Sequence, residues 1–255
     1  MAIDFAASEN AGAYSSRRAD PSWAATVQDL IDPKQKDVVD VGCGGGIYSR
    51  EWLRLGASSV TGVDASEPIL SSAAEEVQDQ RARFVIGDAA ATGLPAHSAD
   101  IVFARALVHH LSDLQAFVDE AMRLLRPGGH LIIQDRTMDD VLQPAGARHI
   151  RGCFFAVFPR LLEVERRRRP DESTLAEMLR ASGGRKVDLH RLWETRAVHE
   201  TRENLLTDIR ARKGRSLLHE LEQEELESLI AHMGKVLPEF DIRESDRWTL
   251  WVTRI

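Results

Sequence analysis

Along the first half of the chain, short apolar runs alternate with longer stretches that are apolar on one side only. Val38-Val39-Asp40-Val41 is a β-branched run that stops at glycines, the signature of a buried parallel strand. Residues 47–55 follow as a helix, with Gly56 just past its end. Ser59-Val60-Thr61-Gly62-Val63 is a second strand, and a helix is expected from Ser66 to about Asp79, with Pro68 in its first turn. Phe84-Val85-Ile86 and residues 100–104 are the third and fourth strands. Ser112-Asp113-Leu114-Gln115 has capping-box spacing, and the helix after it lines up Leu114, Phe117, Val118, Ala121, Leu124 and Leu125. Pro127-Gly128-Gly129 is expected to end that helix, and Leu131-Ile132-Ile133 is the fifth strand.

This alternation of strand and helix predicts right-handed crossovers and a parallel, doubly wound α/β sheet. The rhythm breaks after Asp135. Residues 136–169 are an irregular or helical insertion. Asp171 caps a helix that turns Leu175, Met178 and Leu179 inward, and Lys186 to Trp193 is a strand alternating Val187, Leu189 and Leu192. Residues 199–236 are a second helical insertion, with Leu218, Leu221, Leu226, Leu229, Ile230 and Met233 at helical spacing. Trp248 to Val252 is the last strand. The expected organisation is an N-terminal arm and the cofactor-binding half over 1–135, a cap over 136–169, the end of the sheet domain over 170–198, a helical cap over 199–236 and the final strand within 237–255. The fold class is a mostly parallel, seven-stranded Rossmann-like sheet with an N-terminal arm and helical caps.

The chain has 255 residues, enough for one large α/β domain, and its apolar content of 43% can fill a core. A net charge of −7 disfavours broad binding to nucleic acid or anionic membranes. Cys43 and Cys153 are too few for a disulfide framework or a four-cysteine zinc site, so no metal is expected, and both suit a reducing cytoplasm. Met1-Ala2-Ile3-Asp4-Phe5-Ala6 lacks the basic and apolar regions of a signal peptide, and no apolar stretch reaches the roughly 18 residues of a membrane span.

Chemistry concentrates at strand ends. Asp40-x-Gly42-x-Gly44-x-Gly46 follows the first strand directly. Such glycines let the backbone turn tightly against a ligand, with a helix N-terminus aimed at it. Dinucleotide enzymes usually show G-x-G-x-x-G, which would need glycine at Ile47. The acid at Asp40 can instead attract an ammonium. Asp64 ends the second strand, where a carboxylate can accept both hydroxyls of a ribose. Gly87-Asp88-Ala89 ends the third, where Asp88 can accept from an adenine amino group. The bland alternative is that each acid caps a following turn. Three acids on three successive strands match one amine, one diol and one adenine.

Residues 37–135 resemble the class I S-adenosylmethionine-dependent methyltransferases, in the branch that includes the ubiquinone and menaquinone biosynthesis enzymes. The resemblance rests on Val39–Gly46, Gly62-Val63-Asp64-Ala65-Ser66, Gly87-Asp88-Ala89, Asp100–Phe103, Val108-His109-His110-Leu111 and Arg123–Gly129, in family order and spacing. It implies S-adenosylmethionine as cofactor and S-adenosylhomocysteine as product. It implies that Asp40, Gly42, Cys43, Gly44 and Gly46 hold the methionine end, Asp64 and Ala65 the ribose, and Asp88 and Ala89 the adenine. Arg105 would lie beside the methyl group, and Tyr14 and Arg18 would fold over the cofactor. The fourth strand ends Ala104-Arg105-Ala106-Leu107, without the Pro-Pro turn of nucleic-acid amino-methyltransferases and without a Pro-Cys nucleophile. The implied acceptor is a small molecule, not nucleic acid. A non-catalytic S-adenosylmethionine-binding protein and an NAD(P)-dependent oxidoreductase are the rival readings.

Other features divide between chemistry and packing. His109 and His110 either supply a general base or pack and cap the turn before Ser112; packing is the favoured reading. Arg166 to Arg169 either bind phosphate or form a solvated surface paired with Glu163 and Glu165; the surface is favoured. Trp193, Trp248 and Trp251 read as core, and Cys43 as a small packing residue.

Overall fold

A computed structural model describes residues 18–212 and 215–255. Seven strands form one sheet in the order β3-β2-β1-β4-β5-β7-β6. The elements run α1 (Pro21–Leu30), β1 (Asp37–Val41), α2 (Ile47–Arg54), β2 (Ser59–Asp64), α3 (Glu67–Glu76), β3 (Ala82–Ile86), β4 (Ala99–Arg105), α4 (Leu114–Leu124), β5 (Leu125–Asp135), α5 (Met138–Val141), α6 (Arg151–Val157), α7 (Leu161–Arg168), α8 (Glu172–Ala181), β6 (Val187–Thr201), α9 (Arg202–Arg210), α10 (Gln223–Val236) and β7 (Phe240–Arg254). Strands β1 to β5 pair in parallel. Strand β7 enters antiparallel against β5, from His130↔Arg254 to Asp135↔Thr249. The order reverses between β1 and β4, and the carboxyl edge at such a switch point is where open α/β sheets bind ligands.

Two compact units divide the described residues. One holds 18–135, Pro170–Leu192 and Thr249–Ile255. Its sheet is buried on both faces: Val39, Val41, Val102 and Leu131 belong to one cluster with Phe117 and Leu124, and Val38, Ile101, Phe103 and Ile132 to another with Trp23 and Trp52. That is why β1 and β4 are almost continuously apolar. The other unit holds Arg136–Arg169 and Trp193–Trp248. It has its own core, in which Ile150, Phe154 and Leu161 meet Leu205, Ile209, Leu226, Leu229 and Met233.

Several local expectations shift. The cap of α4 is Asp113, whose side chain accepts from the Ala116 N–H at 3.0 Å; Ser112 lies one residue outside. Pro127-Gly128-Gly129 does not separate helix from strand. It lies inside β5 as an irregularity, where pairing with β4 jumps from Ala99↔Leu125 to Ile101↔His130 and Gly128 takes φ 82°. Helix α3 stops at Glu76, with Val77 as its C-cap. Strands β6 and β7 are each 15 residues long and reach well into segments expected to be helical or irregular. Leu189 is exposed, not inward, and Trp193 is only half-buried, with the Arg148 guanidinium stacked 4.5 Å from its ring. Trp248 and Trp251 are buried, as expected. Arg169 is buried against Glu165 and is no solvated surface residue, whereas Arg166 is exposed and pairs with Glu163.

Candidate functional site

The turn after β1 is built from left-handed glycines. Gly42 N–H donates to Val63 O at 2.7 Å, which ties the turn to β2. A Cβ at Gly42 would come within 2.8 Å of Leu107 Cδ1, so glycine lets the segment after β4 pack onto the turn. Gly44 has φ 52°, and a Cβ there would meet nothing within 4 Å. Its backbone therefore faces open space. This is the cradle a close-approaching ligand needs, and a side chain would fill it.

Three carboxylates surround the turn, each at the end of its own strand. Asp40 is fully buried and accepts a 2.6 Å hydrogen bond from Ser49 Oγ. Burial, and then the Asp64 charge, push its carboxyl up to about 7, against the pull of Ser49 and Arg105. A buried carboxyl held at that point is a receptor for a cation, since an ammonium would restore its charge. Asp64 is half-buried and uses both oxygens: Oδ2 accepts from Gly44 N–H and Oδ1 from Ser66 N–H, each at 3.0 Å. A carboxylate offers about four lone-pair directions, so acceptor capacity remains for a diol. Asp88 is exposed and holds Ala90 N–H at 2.8 Å with Oδ1. Ala65 is exposed and Ala89 half-buried at the same edge. Cys43 is buried, its thiol pushed well up by burial and then by Asp40; it packs and does not react.

The end of β4 carries Arg105, whose guanidinium lies 4.5 Å over the Tyr48 ring. The next residue, Ala106, takes a left-handed φ of 53°, a conformation that costs a residue with a Cβ roughly 1 kcal/mol or more. This turn leads into the short 3-10 segment Val108–His110. His109 is half-buried and His110 exposed, their ring centroids 4.0 Å apart. His109 Nδ1 meets the carboxylate of Asp135 at 2.8 Å. Asp135 was missed in the sequence, although it ends the strand paired with β4; only the register between β4 and β5 exposes it. Gln134 was missed too. Its Oε1 accepts from Trp23 Nε1 at 2.9 Å, which anchors α1 to the sheet beside Arg105.

Thus Asp40, Gly42, Cys43, Gly44 and Gly46, Asp64 and Ala65, and Asp88 and Ala89 lie on successive strand ends of one sheet edge, with Arg105, His109 and His110 following β4. Arg18 is exposed. Tyr14 lies outside the described residues. Among the described residues, no group of three His, Cys, Asp or Glu side chains could hold a metal ion.

A family profile described as a methyltransferase domain matches residues 39–133. These residues are thus similar to a methyltransferase domain. The domain is 37% identical over 101 residues to a ubiquinone biosynthesis O-methyltransferase of Cupriavidus pinatubonensis, covering 38% of this chain and 40% of that protein. It is 34% identical over 109 residues to a 2-methyl-6-phytyl-1,4-hydroquinone methyltransferase of Synechocystis, covering 42% of this chain and 34% of that protein. The chain therefore spans less than half the length of these curated relatives. A solved structure from Anabaena variabilis, described as a methyltransferase from an antibiotic biosynthesis pathway, is 20% identical, covers 91% of this chain and 96% of its own, and superposes with a TM-score of 0.68. At that identity the likeness establishes the fold.

Proposed function

We propose that this protein transfers a methyl group from S-adenosylmethionine to a small-molecule acceptor, releasing S-adenosylhomocysteine. One observation carries the reading: a buried carboxyl at Asp40, poised to receive a cation, stands beside an open glycine cradle at Gly44 and two further strand-end carboxylates. An NAD(P) cofactor offers no ammonium for Asp40, and the Ile47 position lacks the glycine that dinucleotide turns use.

S-adenosylmethionine, when bound, supplies a sulfonium whose methyl group is already activated toward displacement. The protein's part is binding and alignment. Asp40 pairs with the ammonium, and the Gly42–Gly46 backbone accommodates the methionine end, with Cys43 packed behind it. Asp64 and Ala65 take the ribose, and Asp88 and Ala89 the adenine. Arg105, His109 and His110 lie on the acceptor side. Residues 136–169 and 199–236 fall outside the matched segment and have their own core, and we assign acceptor choice to them. The net charge of −7 argues against a nucleic-acid acceptor. Among the described residues no helix is long and apolar enough to cross a membrane, and two free cysteines accord with the cytoplasm.

Calorimetric titration tests the cofactor assignment. Asp64→Ala removes a charged acceptor from two hydroxyls, a loss of about 1.5–3 kcal/mol, or roughly tenfold or more in affinity. Tight binding of NAD(H) in place of S-adenosylmethionine, or an unchanged Kd in the variant, would overturn it. Release of S-adenosylhomocysteine over a metabolite panel then separates an enzyme from a binding protein.

A further inference from the structure

Among the described residues, those that join β3 to β4, 87–98, form no helix. They begin with a tight turn. Asp88 and Ala91 make an isolated antiparallel bridge, Ala91 N–H donates to Asp88 O at 3.0 Å, and Ala90 N–H donates to Asp88 Oδ1 at 2.8 Å. These bonds fix the shape of the turn but not its place on the sheet. Its place is decided by the residue that follows. Thr92 is buried, and its backbone packs on Gly87, where a Cβ would come within 2.9 Å of Thr92 O. A shift of Thr92 therefore reaches Asp88 and Ala89 from both ends of the turn.

One carboxylate holds Thr92. Its N–H and its Oγ1 both donate to Glu120 Oε1, at 2.9 and 2.5 Å. Glu120 lies on α4, whose face of Phe117, Val118, Ala121 and Leu124 is buried in the core beside the sheet, so the carboxylate is fixed with respect to the strands. Arg123, one turn further on, closes the arrangement. Its Nε meets Glu120 Oε2 at 2.6 Å, and its Nη2 donates to Glu120 Oε1 and to Leu94 O, each at 2.7 Å. Leu94 N–H donates in turn to Thr92 Oγ1 at 3.3 Å. An ion pair between Glu120 and Arg123 alone would serve only the surface of α4. Here the acid is buried and its second set of bonds goes to the loop. The Arg123 hydrogen bonds first, and those of Thr92 after them, outweigh burial and hold the carboxyl down at about 2, so the arrangement stays charged near neutral pH.

We propose that Glu120 is a positioning residue for the base of the cofactor: acting through Thr92, with Arg123 behind it, it places Asp88 and Ala89 so that the site selects adenine over a purine without the 6-amino group. This rests on the methyl-transfer reading above, in which Asp88 and Ala89 take the adenine. The selection is directional. Ala90 N–H occupies Asp88 Oδ1, and the acceptor capacity that remains on the carboxylate meets the exocyclic amino group. Hypoxanthine carries a carbonyl oxygen at that position, and two acceptors repel. A misplacement of about 1 Å costs adenine its hydrogen bond and relieves hypoxanthine of the repulsion, so the two affinities converge.

Calorimetric titration of the full chain with S-adenosylhomocysteine and with S-inosylhomocysteine reads the selectivity directly. The wild type should prefer the adenosyl ligand by about tenfold or more, the worth of a hydrogen bond to a charged group. In Glu120→Ala the preference should fall to about threefold or less, through weaker binding of S-adenosylhomocysteine, with S-inosylhomocysteine within about twofold of the wild type. Once Asp88→Ala has removed the carboxylate, adding Glu120→Ala should change either affinity by no more than about twofold, because residues that act through one contact are not additive. Thr92→Val keeps the shape of the side chain and removes one of the two donors to Glu120. It should lower the preference in the same direction, and it carries the test if Glu120→Ala does not fold. Equal weakening of both ligands in Glu120→Ala, an unchanged preference in either variant, or full additivity with Asp88→Ala would overturn the proposal and leave Glu120 as a brace of the fold. A wild type that binds the two ligands equally would overturn it too, with the methyl-transfer reading intact. A wild type that binds neither S-adenosylmethionine nor S-adenosylhomocysteine would overturn that reading itself.

Discussion

At the scale of single residues, the decisive quantity is the proton on Asp40. Its carboxyl is raised to about 7 by burial first and by Asp64 second. Below that pH it is neutral and cannot pair with an ammonium; above it, the pairing is available. Affinity for S-adenosylmethionine should therefore rise as the pH goes from 6 to 8, with proton release visible as a dependence of the binding enthalpy on the buffer's ionisation heat. Asp40→Asn should bind weakly and without that pH dependence. The same shift has the opposite consequence for the apo fold. A carboxyl whose folded value lies above its unfolded value of 3.8 stabilises the fold fully below 3.8, and that contribution is lost as the pH rises through 7. Added cofactor should then raise the melting temperature more at pH 8 than at pH 6. Asp40, Asp64 and Asp88 were legible because each lies at or just past the end of an apolar run, within a residue or two of where it stops. Asp135 was not, because its partner is a histidine 26 positions away in sequence.

Among the elements, helix α4 shows how closely pattern and packing agree, and where they part. Its inward face of Phe117, Val118, Ala121 and Leu124 is buried as the periodicity predicts. Its first turn differs by one residue. Ser112-x-x-Gln115 has capping-box spacing, but Asp113 is the residue with extended backbone angles, and its carboxylate takes the Ala116 N–H. Two capping residues side by side are equivalent in sequence; the backbone direction after Val108–His110 selects between them. Asp113→Ala should cost about 1 kcal/mol in urea denaturation, while Ser112→Ala should stay within about 0.5 kcal/mol. Equal costs would return the cap to Ser112. In β5 the Pro-Gly-Gly stretch misleads for a related reason. Its turn chemistry is real, but tertiary pairing with β4 absorbs it as an irregularity inside a strand.

For the molecule as a whole, the unit formed by Arg136–Arg169 and Trp193–Trp248 is set apart by its buried charges. Asp246 meets Arg151 at 2.8 Å and Arg136 at 3.6 Å, and Glu165 meets Arg169 at 2.5 Å. Glu244 accepts from the buried Arg215 at 3.0 Å and faces Arg196 and His199. Burial alone would raise these carboxyls. For Glu244 the His199 hydrogen bond and the charges of Arg215 and Arg196 outweigh it and hold the group at about 2; for Asp246 the charges of Arg151 and Arg136 outweigh it and hold the carboxyl well below its ordinary value. Burial likewise acts on Arg136, where it combines with repulsion from Arg151 and Arg169 to lower the guanidinium to about 9. A carboxylate depressed by folding contributes stability that is present above its unfolded value near 4 and is lost as the pH falls toward 2. The urea midpoint of this unit should therefore fall steeply as the pH goes from about 4 to about 2, with tryptophan fluorescence from Trp193 and Trp248 as a local report. Glu244→Gln should be strongly destabilising at pH 7, on the order of 3–5 kcal/mol, because it strands Arg215 in the interior. A loss under about 1 kcal/mol would show that water reaches the pair.

The sequence by itself determined the sheet, the glycine turn and the three strand-end carboxylates, because each is written in local signals: apolar runs of strand length, a glycine spacing and an acid where a run stops. It also determined the apolar faces of α4 and α10, which depend only on the helical repeat. Tertiary structure decided what requires two distant segments to meet. It ran β7 antiparallel into the gap between β5 and β6, and it buried Arg169 within a run of arginines that reads as surface. It also joined His109 to Asp135, because the parallel register that places Arg105 opposite Gln134 brings the next residue of β5 to the turn after β4.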